Sequence, residues 1–513
     1  MTNHNFHALT PDIQAAGTTT VGQVFAERAR RDQNREAIEM GPRTLTYGEL
    51  NERVNRLANV LLEKGIERQD RVGLLSHNSI EYLEIILAAA KIGAIVCCQN
   101  WRLSAVELSH CINLVEPKII IKQPELGDKL ETSALVPHQS IDLGAEYEAL
   151  LAKASIHDPS QLVASEDGLI VLYTSGTTGL PKGAVISHRA MVTRTMVYAA
   201  ELNVPSTDTF FAWSPLFHMG AADQSIATLL RGGKVYVTDG FELDLILPAL
   251  ERNKTQWFSL LPGIIENLIE AVKATKPKML GVALVGGMAD LITPDQIGEI
   301  SELFQAPYLN TFGSTETGLP PASGGLIPIG VVPESLAKRQ SGYCEVRLID
   351  LDDQDVADGE PGEVIVRGPT LFSGYVKNPE TNEQDFRDGW FHMGDVMRRN
   401  PDGTLDFVDR VKYMIKSGGE NIYPAEIEKA IMTDARVSEA AVIKKQDDKW
   451  GEVPVAVVAR RDDSLSEEDV VELCLQKLAR YKRPKEVHFI SADQFPRTTT
   501  GKIQRNVLEK QLT

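Results

Sequence analysis

The sequence predicts an α/β protein: a large N-terminal domain of two parallel-type β-sheet subdomains covered by helices, plus a small β-barrel, followed by a small α+β C-terminal domain. Three observations predict it. Strand-like apolar runs alternate with helical segments through the first part of the chain, the order that makes βαβ units and parallel sheets. After roughly residue 325 the pattern changes to alternating strands with turn signals, "YCEVRLIDLDDQD" and "DGEPGEVIVRG", which suits a small antiparallel barrel or sheet. From Gly418 a compact series of helix- and strand-like runs follows, and the 513 residues exceed the ~100–200 of one domain.

Taken in order, "TYGELNERVNRLANVLLEKG" places Leu50, Val54, Leu57 and Leu61 at helical spacing, and Thr46 with Glu49 forms a capping box. "RVGLL" then reads as a strand, "SIEYLEIILAAAKIG" as a helix and "AIVCC" as a strand. "GLIVLY" is a further buried strand. The alternation recurs at "LGVALVGG", "TPDQIGEISELF" and "PYLNTFG". The final run comprises "YPAEIEKAIM", "VSEAAVIKK", "VPVAVVARR", "SEEDVVELCLQKLA" and "EVHFI". A boundary near "DRVKYMIKSGG" divides the chain into residues 1–410 and 411–513.

Composition excludes several function classes. Hydrophobic content of 43% and charged content of 24% are those of a soluble globular protein. Five cysteines, Cys97, Cys98, Cys111, Cys344 and Cys474, show no C-x-x-C spacing and fit reduced thiols better than disulfides or a zinc site. No apolar run reaches the ~18 residues of a membrane span; Lys91 breaks the longest. The N-terminus lacks the order of a signal peptide, so the expectation is a cytoplasmic protein. A net charge of −18 argues against nucleic acid as a partner. The excess acid lies before residue 411. The near-neutral remainder carries "RYKRPK" (Arg480 to Lys485), which suits a phosphorylated ligand or, on charge alone, a solvated helix end equally well.

The chemistry concentrates in "YTSGTTGLPKGAVISH", residues 173 to 188. Between Thr174 and Gly183 stand three glycines, three threonines, a serine and one lysine. Such a loop after a buried strand turns backbone N–H groups inward beside hydroxyls and makes a concave anion site, to which Lys182 adds charge. The order is not that of a Walker A loop. A plain strand-to-strand connection is the bland alternative.

This loop resembles the phosphate-binding signature of the adenylate-forming superfamily of acyl-CoA synthetases, adenylation domains and luciferases. Further matches follow in family order: "PLFHMG" (215–220), "TFGSTETG" (311–318), "GEVIVRG" (362–368), "GWFHMGD" (389–395), "DRVKYMIKSGGENIYPAEIE" (409–428) and "PRTTTGKIQRNVL" (496–508). The resemblance implies an enzyme that joins a carboxylate to ATP as acyl-adenylate with release of pyrophosphate, then passes the acyl group to a thiol.

It also implies roles. Thr174, Ser175, Gly176, Thr177, Thr178 and Lys182 would hold the β/γ-phosphates, Glu316 would ligate Mg²⁺ and Thr315 would bond the α-phosphate. Asn310 would meet the adenine edge, with Gly286 in the same nucleotide set. Phe312 stands where the family more often has tyrosine; it keeps a stacking face and lacks the hydroxyl. Asp395 resembles the carboxylate that accepts both ribose hydroxyls, and Arg410 its partner. His218 would lie beside the acyl carboxylate, and Lys502 would reach between carboxylate and α-phosphate as charge builds.

Gly418, Gly419 and Glu420 match the loop passed by the pantetheine arm of CoA; Trp450, Lys482 and Arg483 are candidates for its nucleotide. Lys412 occupies the family's hinge position, which makes the C-terminal domain mobile between the two half-reactions.

The reading is an AMP-forming carboxylate–CoA ligase using ATP, Mg²⁺ and CoA, with room for a homodimer. Its rivals are a ligase loading a carrier protein's phosphopantetheine, a luciferase-like oxygenase, and a non-catalytic nucleotide sensor. The last is disfavoured by the presence of both Lys502 and Glu316. The acyl pocket would draw on Met219 to Gln224, with Asp223 its one charge and solvent the alternative for it, and on Gly287, Met288 and Gly318. These residues are mostly small or apolar, which suggests a hydrophobic acid; aliphatic, aryl and alicyclic acids all remain open.

Overall fold

The computed structural model describes residues 11–131, 135, 136, 138–174, 180–261, 263–497 and 503–512. The chain divides into two units. The first takes in the chain to Glu345 together with Arg367–Arg387; the second takes in Val346–Val366 and the chain from Asp388.

Among the described residues, the first unit holds a six-stranded sheet in the order Gln139–Asp142, Ile119–Lys122, Arg71–Leu75, Ile95–Cys98, Gly168–Thr174, Lys182–Ser187. All its neighbours are parallel except the last pair. Parallel strands are covered on both faces, so they read as unbroken apolar runs; "IVCC" is buried at every position. The helix Tyr47–Glu63 starts at the Thr46–Glu49 capping box. The helix Ile80–Ile92 is buried nearly all round. Lys91 survives there because its ammonium donates to Asn51, Asn55 and Asp158 at 2.6–2.9 Å, which compensates a buried charge.

A second layer combines Arg43–Thr46, Glu36–Met40, Lys234–Val237 and Thr209–Ala212 with Phe258–Ser259, Val285–Gly287, Tyr308–Asn310 and Leu326–Ile327. Bridges at Thr209–Thr255 and Thr255–Val282 link the two sets. Their core gathers Phe211, Ile246, Phe258, Leu268, Ile300 and Tyr308. These two layers are the two parallel-type sheets that the alternating sequence predicts.

Three helices position the site: α1 (Val21–Arg31), α2 (His188–Met196) and α3 (Met219–Arg231). The Val21 N–H donates to His188 Nδ1 at 3.2 Å, tying the start of α1 to the start of α2.

The second unit contains the antiparallel strands Pro361–Arg367, Trp390–Arg399 and Leu405–Arg410, the barrel-like region expected after the parallel layers. It also contains a sheet ordered Glu420–Ile422, Ile415–Ser417, Gly451–Arg460, Val437–Asp447, with Glu486–Phe489 paired to Gly451–Arg460. The boundary read from the sequence falls inside this unit. Val396 and Val408 from the first strands share a cluster with Met414 and Tyr423, and Val411 packs on it.

Among the described residues no helix is long and apolar enough to cross a membrane. The five cysteines are buried and free.

His188 is fully buried, and burial lowers its pKa from 6.5 to about 4, opposed by Asp167. The unfolded chain therefore takes up a proton in this window that the folded one refuses. Its contribution is complete above 6.5 and is lost as pH falls toward 4; its full size is on the order of 3 kcal/mol. His188→Gln keeps an acceptor for Val21 but does not titrate. Its thermal midpoint should fall less steeply than wild type across that window, and equal slopes would reject the assignment.

Candidate functional site

The strand Gly168–Thr174 returns directly as Lys182–Ser187, with Tyr173 opposite Gly183 and Thr174 opposite Lys182. The glycine-rich loop therefore does connect two strands. Its position at the carboxyl end of a parallel strand is where open α/β sheets bind ligands. Ser175, Gly176, Thr177 and Thr178 lie outside the described residues. Thr174 and Lys182 frame the loop, both half-buried.

The segment Ser373–Val376 runs along the outer strand: Ser373 N–H donates to Val185 O, Val185 N–H to Gly374 O, and Val376 N–H to Gly183 O, at 2.7–3.0 Å. This pairing brings in Tyr375, a residue the motif reading missed. Its ring lies 4.0 Å from Lys182 Nζ, and its hydroxyl donates to Glu316 Oε1 at 2.8 Å. Tyr375 thus joins the lysine of one motif to the carboxylate of another. The only hint in the sequence is an aromatic shortly after "GEVIVRG", which by itself reads as packing. Lys182 also stands 3.9 Å from Asp385.

Thr315 and Glu316 occupy a tight turn between Gly313–Ser314 and Gly318–Pro321. Ser314 N–H donates to Thr317 Oγ1, Glu316 N–H to Ser314 Oγ, and Glu316 O accepts from Phe372 N–H at 2.8 Å. Gly318 closes the turn at φ +76°, and a Cβ there would stand 2.8 Å from Arg194 Cδ; glycine meets both demands.

Asn310 ends a strand whose register partner is Gly287. Its Oδ1 accepts from Ala289 N–H at 3.2 Å and its Nδ2 donates to Leu336 O at 2.9 Å. One hydrogen and one lone pair remain beyond these loop-ordering bonds. Gly286 and Gly287 allow close backbone approach: a Cβ would come within 2.4 Å of Leu309 O at the first and 2.3 Å of Leu260 O at the second. Trp257 Nε1–H donates to Gly286 O at 3.1 Å, a support that no motif marks. Phe312 is buried, its N–H on Ser323 Oγ. Met288 is half-buried.

His218 is the N-cap residue of α3, half-buried, with its ring 4.6 Å from that of Phe217. Met219 beside it is half-buried too. Asp223 does not face solvent, the alternative left open for it. It is 1% exposed, its Oδ2 accepts from Arg194 at 2.8 Å, and burial pushes its carboxyl upward against the pull of Arg194. Sequence spacing could not pair residues 29 positions apart.

Other expected residues belong to the second unit. Asp395 and Arg410 are register partners on adjacent strands and form an ion pair at 2.8 Å. Gly418 and Gly419 form the two-residue turn between Ile415–Ser417 and Glu420–Ile422, with φ +61° and +89°, as a tight hairpin requires. Glu420 follows, exposed. Trp450 covers this turn: its carbonyl accepts from Gly418 N–H at 2.8 Å, and a Cβ on Gly418 would stand 2.7 Å from the indole. The indole is 41% exposed, flanked by Lys449 and Lys485 at 4.9 and 5.9 Å. Lys482 instead donates to Glu426 at 2.6 Å, so its charge is already engaged; Arg483 is half-buried.

Lys412 is exposed in a 3-10 turn, 4.8 Å from the Tyr413 ring. Arg505 grips Glu428 through two nitrogens, and its guanidinium stands 4.6 Å from the Tyr413 ring. Beside them Asp409 is pushed up to about 6 by burial. Lys502 lies outside the described residues; the bridge between Arg497 and Ile503 brings the ends of its segment together.

Among the described residues no group of three or more His, Cys, Asp or Glu could hold a metal. A lone carboxylate such as Glu316 nevertheless suits Mg²⁺, which keeps waters and binds through one or two carboxylates plus substrate phosphates.

Residues 25–376 match the AMP-binding enzyme family and residues 426–502 its AMP-binding enzyme C-terminal domain. The chain is 32% identical to an indoleacetate–CoA ligase of Aromatoleum aromaticum, over 93% of this chain and 94% of that one. It is 33% identical to a feruloyl-CoA synthase of Amycolatopsis, over 96% and 98%. The ATP-bound structure of MatB from Rhodopseudomonas palustris superposes with a TM-score of 0.83 at 28% identity, covering 96% and 99%.

Tyr375→Phe keeps the ring beside Lys182 and removes the hydrogen bond to Glu316. ATP affinity should fall about three- to tenfold, as for one charge-assisted bond, and Tyr375→Ala should lose more. Titration of ATP into the two proteins checks this; an unchanged affinity in both would remove Tyr375 from the site.

Proposed function

The chain belongs to the AMP-binding enzyme family, and from that premise we propose that it is an ATP-dependent carboxylate–CoA ligase. A carboxylate oxygen attacks the α-phosphorus of ATP and pyrophosphate leaves. The thiol sulfur of CoA then attacks the acyl carbonyl, gives up its proton, and AMP leaves. The observation that carries the reading is the Lys182–Tyr375–Glu316 link, in which a cation and a carboxylate from separate motifs meet at a strand end. Lys182 and Thr174 bind the terminal phosphates, Thr315 the α-phosphate, and Glu316 would hold Mg²⁺. When bound, the metal neutralises phosphate charge as pyrophosphate departs.

Asp395 takes the ribose hydroxyls with Arg410 orienting it, and His218 lies beside the acyl carboxylate. Lys502 contributes charge only while the carboxylate attacks. The exposed Trp450 and its two lysines receive the CoA nucleotide, and Gly418 and Gly419 leave room for its arm. Residues 1–410 and 411–513 act as separate domains about Lys412, a movement that has to part Val396 and Val408 from Met414 and Tyr423.

The substrate is a hydrophobic acid without an amino group. Asp223 supports this, because it is already paired with Arg194 and so does not offer an unpaired carboxylate to an ammonium. A panel of aryl, aliphatic and alicyclic acids, indoleacetate and ferulate among them, tests the reading through pyrophosphate and AMP release with and without CoA. Formation of acyl-CoA from at least one acid supports it. Pyrophosphate release that never yields a CoA thioester would sink it in favour of a carrier-protein or oxygenase relative.

Lys502→Ala should abolish acyl-adenylate formation while sparing thioester formation from supplied acyl-adenylate. Loss of both steps in a folded variant would reject that division of labour.

Proline fixes φ near −65°, so Lys412→Pro should slow transfer to CoA far more than single-turnover pyrophosphate release. Lys412→Ala should keep most of both. Equal slowing of the two steps by proline, or equal damage by alanine, would remove position 412 as the pivot.

A further inference from the structure

We propose that Arg194 is a positioning residue that sets the Thr315–Glu316 turn against helix α3, so that one cation holds both the metal-facing carboxylate and the acyl-binding helix. The proposal rests on the assignment of Glu316 to Mg²⁺ given above.

Arg194 projects from α2 and is 1% exposed. Each of its guanidinium nitrogens has its own acceptor. Nη1 donates to Asp223 Oδ2 of α3 at 2.8 Å, Nε to Thr370 O at 3.0 Å, and Nη2 to Thr315 O at 3.1 Å. The three acceptors come from three segments that are distant in sequence. Their common element is the planar fork, which fixes the angles between them.

Lysine could replace the charge but not the fork, since its donors radiate from a single nitrogen. Asp223 compensates the buried charge, and the two carbonyls take the hydrogens it cannot reach. The approach is close enough that position 318 tolerates no side chain, a Cβ standing 2.8 Å from Arg194 Cδ and Nε.

The same grip reaches Glu316 from its other side. Two residues beyond Thr370, the Phe372 N–H donates to Glu316 O, and Tyr375 donates to its carboxylate. Arg194 therefore fixes both the turn that bears Glu316 and the segment that aims it. Nothing in this geometry puts Arg194 itself against a phosphate or a metal. Its effect on the Mg²⁺-dependent part of binding has to pass through Glu316.

The test is a double-mutant cycle read by calorimetric ATP binding to the full chain, with Mg²⁺ and with EDTA. The variants are Arg194→Lys, Glu316→Gln and the two together. Arg194→Lys should unfold cooperatively and bind ATP in EDTA within about twofold of wild type. The gain in ATP affinity on adding Mg²⁺ should fall about fivefold or more, the scale of one displaced buried hydrogen bond. In the Glu316→Gln background the same change should cost almost nothing further, because the carboxylate it positions is gone.

Independent, multiplying effects would show a general structural role and overturn the proposal. So would equal loss of affinity with and without Mg²⁺, or an unaltered Mg²⁺ gain. If Glu316→Gln alone leaves the Mg²⁺ gain intact, the metal assignment fails first and this inference falls with it. Should Arg194→Lys not fold, Arg194→Met with Asp223→Leu replaces the pair by apolar groups of similar volume, an exchange that buried pairs often tolerate. It must give the same non-additive pattern with Glu316→Gln.

Discussion

A guanidinium with 1% of its surface exposed has to be compensated where it lies, and the arrangement of the first unit around the site follows from that need. Water is excluded, so Arg194 must find its acceptors in the protein. It finds a carboxylate on α3 and two backbone carbonyls in loops. Each of those segments carries part of the site. Helix α3 begins at His218, the turn after Thr315 bears Glu316, and the segment after Thr370 leads to Tyr375. One buried charge thus gives three otherwise independent pieces a shared origin.

The second unit meets the same kind of constraint with different means. Arg505 anchors the last helix to Glu428 and stacks on Tyr413, beside the buried Asp409. The start of the last helix is therefore moored next to the turn that holds Lys412. The glycine pair shows how one residue type can serve two demands. Its positive φ angles make the hairpin, and its missing Cβ admits the Trp450 ring. A requirement for clearance of a pantetheine arm would select the same residues, so the glycines by themselves do not separate structure from function.

Much of the fold was legible because its signals are local. The Thr46–Glu49 capping box, the buried run of "IVCC" and the turn-punctuated strands near Glu363 each declare themselves within a few residues. Local signals place the antiparallel strands before residue 411 with the large domain, since nothing within a few residues reveals their packing. In the structure Val396 and Val408 share a cluster with Met414 and Tyr423. Side chains on both sides of the expected boundary complete one apolar surface, and only the folded chain shows it.

The sequence by itself determined the class of chemistry, because motif order and residue type survive without coordinates: a hydroxyl-rich glycine loop with Lys182, a carboxylate at Glu316, a second glycine loop at Gly418 and Gly419. The tertiary structure alone decided how those groups are held. Tyr375 reaches Glu316 through a pairing across nearly 200 residues, and Asp223 proves to be a buried partner of Arg194. Lys482 proves to be engaged with Glu426. The physical reason is the same in each case. A charge or a hydroxyl is cheap in water and costly in a protein interior, so its partner is chosen by what the fold places within about 3 Å of it, and sequence distance has no bearing on that choice.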